Sequence, residues 1–303
     1  MSGIGPQAVV LGFPDYRSQA ERFATNAGVT YDDIRLHRFP DGESLLRLPE
    51  ALPEHVILCR TLTDANRRLI ELELAAATAR RLGAERVTIV APYLCYMRQD
   101  TAFHPGEAIS QQIIGKLLAR QFDALVTVDP HLHRTPRLRD AVPLARAVAT
   151  TATSLMAEWL AGIEGEPLVV GPDEESAQWV MQIAAAGGFE HCVARKRRLG
   201  DRDVRIELPG REFAGRKVVL VDDVASTGHT LAEAARQLAD KGAASIEVLV
   251  CHPLFATDAY EHLRSAGVSQ VISTDSIPHP SNRLHLGGLL ATGLRRAWSD
   301  ELE

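Results

Sequence analysis

Eight short runs of branched and small apolar residues recur along this 303-residue chain: AVVLGF, HVILC, VTIVAPY, ALVTVD, PLVVG, KVVLVD, IEVLVC and QVISTD. Longer amphipathic stretches separate them. A strand that is apolar at every position must be covered on both faces, and a parallel sheet sandwiched between helices does this repeatedly. The chain is therefore expected to be α/β, with mainly parallel sheets flanked by helices.

The pattern also repeats. HVILCRTLTDANRRL, a helix and GAERVTIVAPY lie over KVVLVDDVASTGHTL, a helix and GAASIEVLVCHP, at an offset of about 160 residues. Two units of the same kind fit a length of 303 residues, given domains of about 100–200 residues. The boundary is expected in AVPLARAVATTATS. An N-terminal domain would span residues 1–147, joined by the amphipathic tail 285–303, and a C-terminal domain residues 148–284.

The bulk properties exclude several classes. Net charge is −6, with 46% hydrophobic and 24% charged residues. Lys and Arg are dispersed, so neither nucleic acid nor an anionic membrane is an expected partner. No apolar stretch is long enough to span a bilayer, and the opening MSGIGPQAVVLG lacks the basic start of a signal peptide. The four cysteines are far apart, with no C-x-x-C spacing. They read as free thiols in a cytoplasmic protein.

Chemistry concentrates in VVLVDDVASTGHTL. A strand, a short loop and the helix TLAEAARQLADKG would aim unpaired N–H groups at an anion, a natural phosphate site. Ser226, Thr227 and Thr230 add hydroxyl donors, and Gly228 lets the backbone approach closely. Asp222 and Asp223 cannot bind the phosphate, but they can accept hydrogen bonds from vicinal sugar hydroxyls. The combination fits a ribose 5-phosphate group. The plainer alternative is a capped helix with incidental surface acids.

This segment resembles the ribose-phosphate loop shared by type I phosphoribosyltransferases and phosphoribosyl pyrophosphate synthetases. FPDGES at 39–44, PYLCYMRQD at 92–100, GEAIS at 106–110, VDPH at 128–131, GPD at 171–173, ARKRR at 194–198 and TDSIP at 274–278 extend the resemblance to the synthetases over nearly the whole chain. It implies two duplicated type I phosphoribosyltransferase-like domains, of which the second keeps the sugar-phosphate loop. It also implies Mg²⁺-dependent transfer of pyrophosphate from ATP to ribose 5-phosphate, in a homo-oligomer whose ATP site is shared between subunits.

Residue by residue, the resemblance implies metal ligation by His131 and Asp173, a small set that suits Mg²⁺. Lys196 would steady charge on the transferring group, and Arg198 would clamp phosphate oxygens in a flexible catalytic loop. Arg98 and Gln99 would contact ATP. Phe39, Asp41, Gly42 and Glu43 would receive adenine. Asp222, Asp223, Ser226, Thr227, Gly228, His229 and Thr230, together with Arg198, would hold ribose 5-phosphate. Taken alone, FPDGES is an ordinary turn, ARKRR a solvated charged face and His131 a loop histidine.

Two features depart from the pattern. Glu174 and Glu175 stand where the synthetases carry a small glycine-containing loop, and would repel pyrophosphate unless turned away or bound to metal. His229 occupies a position that is commonly glycine. A phosphoribosyltransferase and a non-catalytic synthetase-like subunit are the alternatives.

Overall fold

The structure, a computed structural model, describes residues 8–198, 204–256 and 258–299, the side chains of residues 197, 198, 204 and 205 excepted. The chain divides into two compact units. One takes the chain up to Thr151, Ser276–Pro278 and the chain from His285; the other takes Ala152–Asp275 and His279–Leu284.

The first unit runs β1 (Ala8–Gly12), α1 (Arg17–Ala27), β2 (Thr30–Asp33), β3 (Arg35–Arg38), β4 (Ser44–Arg47), β5 (His55–Cys59), α2 (Ala65–Arg81), β6 (Arg86–Ala91), α3 (Ser110–Gln121), β7 (Ala124–Val128), α4 (Leu138–Ala141) and β8 (Arg146–Thr150). The second runs α5 (Thr153–Ala161), β9 (Leu168–Gly171), α6 (Ala177–Gly187), β10 (His191–Val193), β11 (Arg195–Arg198), β12 (Val204–Glu207), β13 (Lys217–Ala225), α7 (His229–Asp240), β14 (Ser245–Pro253), α8 (Ala259–Ser265), β15 (Gln270–Thr274) and β16 (Asn282–Leu284). The final helix α9 (Gly287–Ala297) belongs to the first unit.

Among the described residues each unit holds a six-stranded sheet, ordered β2-β1-β5-β6-β7-β8 and β10-β9-β13-β14-β15-β16. Every pairing in both is parallel. The two orders are the same, as the sequence repeat requires. Strands β1, β5 and β7 are buried at every residue, which explains their unbroken apolar sequences. Residues 146–150, inside the stretch where the sequence suggests the boundary, form the edge strand β8.

The duplication extends to detail. Each unit inserts an antiparallel hairpin, β3–β4 or β11–β12, between the same two strands of its sheet. The Ile34 N–H donates to the Gly12 carbonyl at 2.9 Å, and the Ala194 N–H to the Gly171 carbonyl at 2.9 Å. With Gly12 laid on Gly171, the pairs Val9–Val56 and Leu168–Val218 coincide. Arg60 then stands where Asp222 stands. The basic run expected as an irregular loop is the first arm of the second hairpin, with Lys196 paired to Ile206.

Helix α9 packs on α1, β7 and β8. Gly293 permits this, because a Cβ there would lie 2.6 Å from Val126 Cγ1. Past the helix, Trp298 Nε1–H donates to Thr88 Oγ1 at 3.0 Å, and His55 Nε2 meets the same hydroxyl at 2.8 Å. Arg146 donates to the Ala297 carbonyl at 2.7 Å, a cation at a helix C-terminus. Among the described residues no helix is long and apolar enough to cross a membrane.

Burial, aided by nearby Arg86 and opposed by Asp123, lowers His55 to about 4. The unfolded chain takes up this proton near pH 6.5, whereas the folded chain resists to about pH 4. His55 therefore supports folding fully above pH 6.5, and that support is lost as pH falls toward 4, by about 3 kcal/mol at most. Thermal unfolding between pH 7 and 4.5 is expected to fall less steeply in His55→Gln than in the parent.

Candidate active site

In the second unit the chemistry gathers beyond the ends of β9 and along β13. Asp173 lies two residues past β9 and is buried; its Oδ1 accepts from the Glu175 N–H at 3.1 Å, capping the 3-10 turn Glu174–Ser176. Ser176 Oγ donates to the Asp173 carbonyl at 2.6 Å. Gly171 makes room for this, since a Cβ there would stand 2.4 Å from that hydroxyl oxygen.

The hairpin brings Lys196 back over this turn. Lys196 Nζ lies 3.3 Å from Asp173 Oδ2, and the Lys196 N–H donates to Glu174 Oε2 at 3.0 Å. Glu174 is thus spent on holding the backbone beneath the lysine. Arg198 ends the same strand, opposite Val204; its side chain lies outside the described residues.

Strand β13 does not stop before the two acids, as the sequence suggests. It runs on to Ala225, pairing Asp222 with Val250 and Val224 with His252. Asp223 is buried, and its Oδ1 accepts from the Val224 N–H at 2.8 Å. The Asp222 carboxyl is held well above the ordinary carboxylate range, first by desolvation, then by Asp223, then by Asp173. Three carboxylates from two adjacent strands therefore share one field, with the Lys196 ammonium against one of them.

The loop follows at once. The Ser226 carbonyl accepts from the Ala256 N–H at 2.9 Å, fixing the loop to the end of β14. Gly228 is left-handed, with φ +71°, and a Cβ on it would lie 3.2 Å from the Ala259 carbonyl oxygen. Helix α7 begins at the next residue. Thr227 and His229 are exposed, while Ser226 and Thr230 are half-buried. The His229 ring stacks on that of His262, centroids 5.4 Å apart.

In the first unit, Arg98 and Gln99 follow β6, and His131 follows β7. Gln99 Oε1 accepts from Ser110 Oγ at 3.0 Å, while the exposed Arg98 projects beside it. Asp100 ties the two segments together, accepting from the Arg134 N–H at 2.9 Å and from its guanidinium at 2.8 Å. Burial pushes the Asp100 carboxyl up, but these Arg134 hydrogen bonds bring it below its ordinary value. His131 and His133 have nearly parallel rings, 6.2 Å between centroids. Phe39, Asp41, Gly42 and Glu43 form the tip of the first hairpin. There the Phe39 N–H donates to the Glu43 carbonyl at 2.9 Å, and the Glu43 N–H to Asp41 Oδ1 at 3.1 Å. Gly42 takes φ +94°, and Phe39 is 39% exposed.

Residues 9–121 match the N-terminal domain of ribose phosphate pyrophosphokinase, and residues 138–283 match the phosphoribosyl transferase domain. The ribose-phosphate pyrophosphokinase of Methanopyrus kandleri is 34% identical, over 91% of this chain and 94% of its own. That of Methanosarcina acetivorans is 34% identical, over 95% and 99%. The chain belongs to the ribose-phosphate pyrophosphokinase family. Its fold is that of the phosphoribosylpyrophosphate synthetase from Mycobacterium smegmatis, with a TM-score of 0.80 at 23% identity, covering 95% of this chain and 98% of that one.

Within this family member, sequence reasoning misses two supports. Asp100 and Arg134 form an ion pair across 34 residues, which no local spacing announces. Glu174 reads in sequence as surplus charge, because its partner is a backbone N–H on a distant hairpin.

Replacing Gly228 by alanine puts a side chain into a left-handed residue, at a cost of about 1–2 kcal/mol. Gly228→Ala is expected to lower the urea midpoint accordingly. An unchanged midpoint would mean the loop does not need that conformation.

Proposed function

We propose that the protein transfers the β,γ-pyrophosphoryl group of ATP to the anomeric hydroxyl of ribose 5-phosphate, yielding 5-phosphoribosyl 1-diphosphate and AMP. The observation that carries this reading is the cluster of Lys196, Asp173, Asp222 and Asp223 beside the Ser226–Thr230 loop. The anomeric oxygen forms a bond to the β-phosphorus. The bond from that phosphorus to the α–β bridging oxygen breaks, the oxygen leaves with AMP, and the hydroxyl proton is released to solvent.

The loop and the first turn of α7 take the 5-phosphate, His229 included, and Asp222 and Asp223 accept from the ribose hydroxyls. Lys196 and Arg198 steady charge that grows on the transferring phosphates. Arg98 and Gln99, with Phe39, Asp41, Gly42 and Glu43, receive the nucleotide. Glu174 holding the Lys196 backbone argues against a chain that has lost catalysis.

No group of three or more metal-ligating side chains comes together among the described residues. This donor set fits Mg²⁺, which draws most of its ligands from water and phosphate. The carboxylate field around Asp222 also favours a cation nearby. Asp173 in the second unit and His131 in the first would each serve as a ligand of Mg²⁺, which would supply neutralisation of phosphate charge. Four cysteines free of disulfides suit a reducing, cytoplasmic setting.

Incubation with Mg²⁺, ATP and ribose 5-phosphate is expected to release AMP; ADP would indicate an ordinary kinase and overturn the reading. Lys196→Ala is expected to lower kcat about 100-fold or more, with little change in KM for ribose 5-phosphate.

The exposed hairpin tip supports an ATP site shared between subunits of a homo-oligomer. Co-expressed Lys196→Ala and Asp41→Ala/Glu43→Ala chains are then expected to regain part of the activity that each lacks alone. No recovery after demonstrated subunit exchange would exclude sharing.

A further inference from the structure

A hairpin with two four-residue arms is marginal in water by itself. Every residue of the first hairpin's two arms is half-buried or exposed, and Phe39 and Leu45 face solvent. Something outside it must fix its tip. Leu46 packs against the core of the first unit, but that apolar contact lies two residues below the last rung.

The last rung is the cross-strand pair Arg38–Ser44, immediately beneath Phe39–Glu43. Both partners converge on one buried carboxylate, Glu71 of α2. Ser44 Oγ donates to Glu71 Oε1 at 2.8 Å, and Arg38 Nε lies 3.5 Å from the same oxygen. The other oxygen, Oε2, faces Arg60 Nη2 at 2.6 Å. Arg60 is fully buried, donates twice to Asp15 at 3.2 and 2.9 Å, and stacks over the Phe13 ring at 4.1 Å. Its guanidinium has no route to water, so the Glu71 carboxylate is held in place against it. The second unit joins the same elements by neutral means, Gln237 Nε2 of α7 donating to the Ile206 carbonyl of β12 at 2.7 Å.

We propose that Glu71 is a positioning residue for the nucleotide-receiving tip, clamping it through Ser44 and Arg38 while Arg60 locks the carboxylate from behind. This rests on the assignment of Phe39–Glu43 to the nucleotide. The clamp meets the ordering cost of the tip before ATP arrives, so its loss appears in ATP affinity. Binding of ribose 5-phosphate, by the other unit's loop, is unaffected.

The test uses Ser44→Ala, which releases the hairpin but leaves the buried Arg60–Glu71 pair intact, and Ser44→Thr, which keeps the hydroxyl. Glu71→Gln serves as a second probe. In the ligand-free full-length protein, amide exchange at Phe39 and Gly42 is expected to quicken about tenfold in Ser44→Ala, while β5 and β6 stay protected. KM for ATP is expected to rise about tenfold, with KM for ribose 5-phosphate and kcat within twofold of the parent, and Ser44→Thr restoring both readouts. Unchanged exchange at the tip would overturn the clamp. Phe39→Ala separates the two claims. If it raises KM for ATP while Ser44→Ala does not, the clamp is wrong. If neither variant changes KM for ATP although the tip exchanges faster, the nucleotide assignment fails and the positioning role fails with it.

Discussion

Parallel pairing delivers the C-terminal end of every strand to one edge of a sheet, and the chemistry of this chain depends on that constraint. Because β9 lies beside β13, Asp173 just past the end of one strand and the acids within the other are brought together, although 49 residues separate Asp173 from Asp222. Close carboxylates raise one another, as Asp222 records. Such a cluster persists only with compensating cations, and the hairpin returns Lys196 to supply one. In the first unit the same geometry brings the segments after β6 and β7 together, where Asp100 and Arg134 join them.

What the sequence makes legible is what burial writes into it. Strands covered on both faces carry continuous apolar runs, and all eight such runs are strands. The remaining strands are edges or hairpin arms. TYDD, RLHR and SLLR hold only exposed and half-buried residues, so their sequences look like loop. RAVAT is only partly buried and reads as a boundary. The run after KVVLV continues in the sheet to Ala225, yet two acids look like a strand's end, since their burial depends on neighbours that only tertiary structure provides. The loop residues Ser226–Thr230 were readable because a glycine with positive φ before a helix follows from local geometry alone. The work of Glu174 was not, for its partner is 22 residues away.

The duplicated halves also show how one scaffold accommodates opposite chemistry at one position. Arg60 and Asp222 occupy equivalent places on equivalent strands. In the second unit the acid stands shortly before the hydroxyl-bearing Ser226–Thr230 loop. In the first, the guanidinium is buried against the Phe13 ring and paired with Asp15 and Glu71. The same place on the scaffold carries a cluster of acids in one copy and a buried, ion-paired cation in the other.

The return of α9 to β7 and β8 bears on the order of events during synthesis. The first unit is discontinuous, because its edge is covered by a helix encoded after nearly all of the second unit. Residues 8–151 leave the ribosome early with a sheet whose last layer does not yet exist, whereas Ala152–Asp275 is contiguous and emerges almost whole. At ribosomal rates of about 5–20 residues per second, the earlier-made half waits roughly 7–30 seconds for its covering helix. The half made first is the half finished last, and its exposed strand edge is the part of the nascent chain most in need of protection.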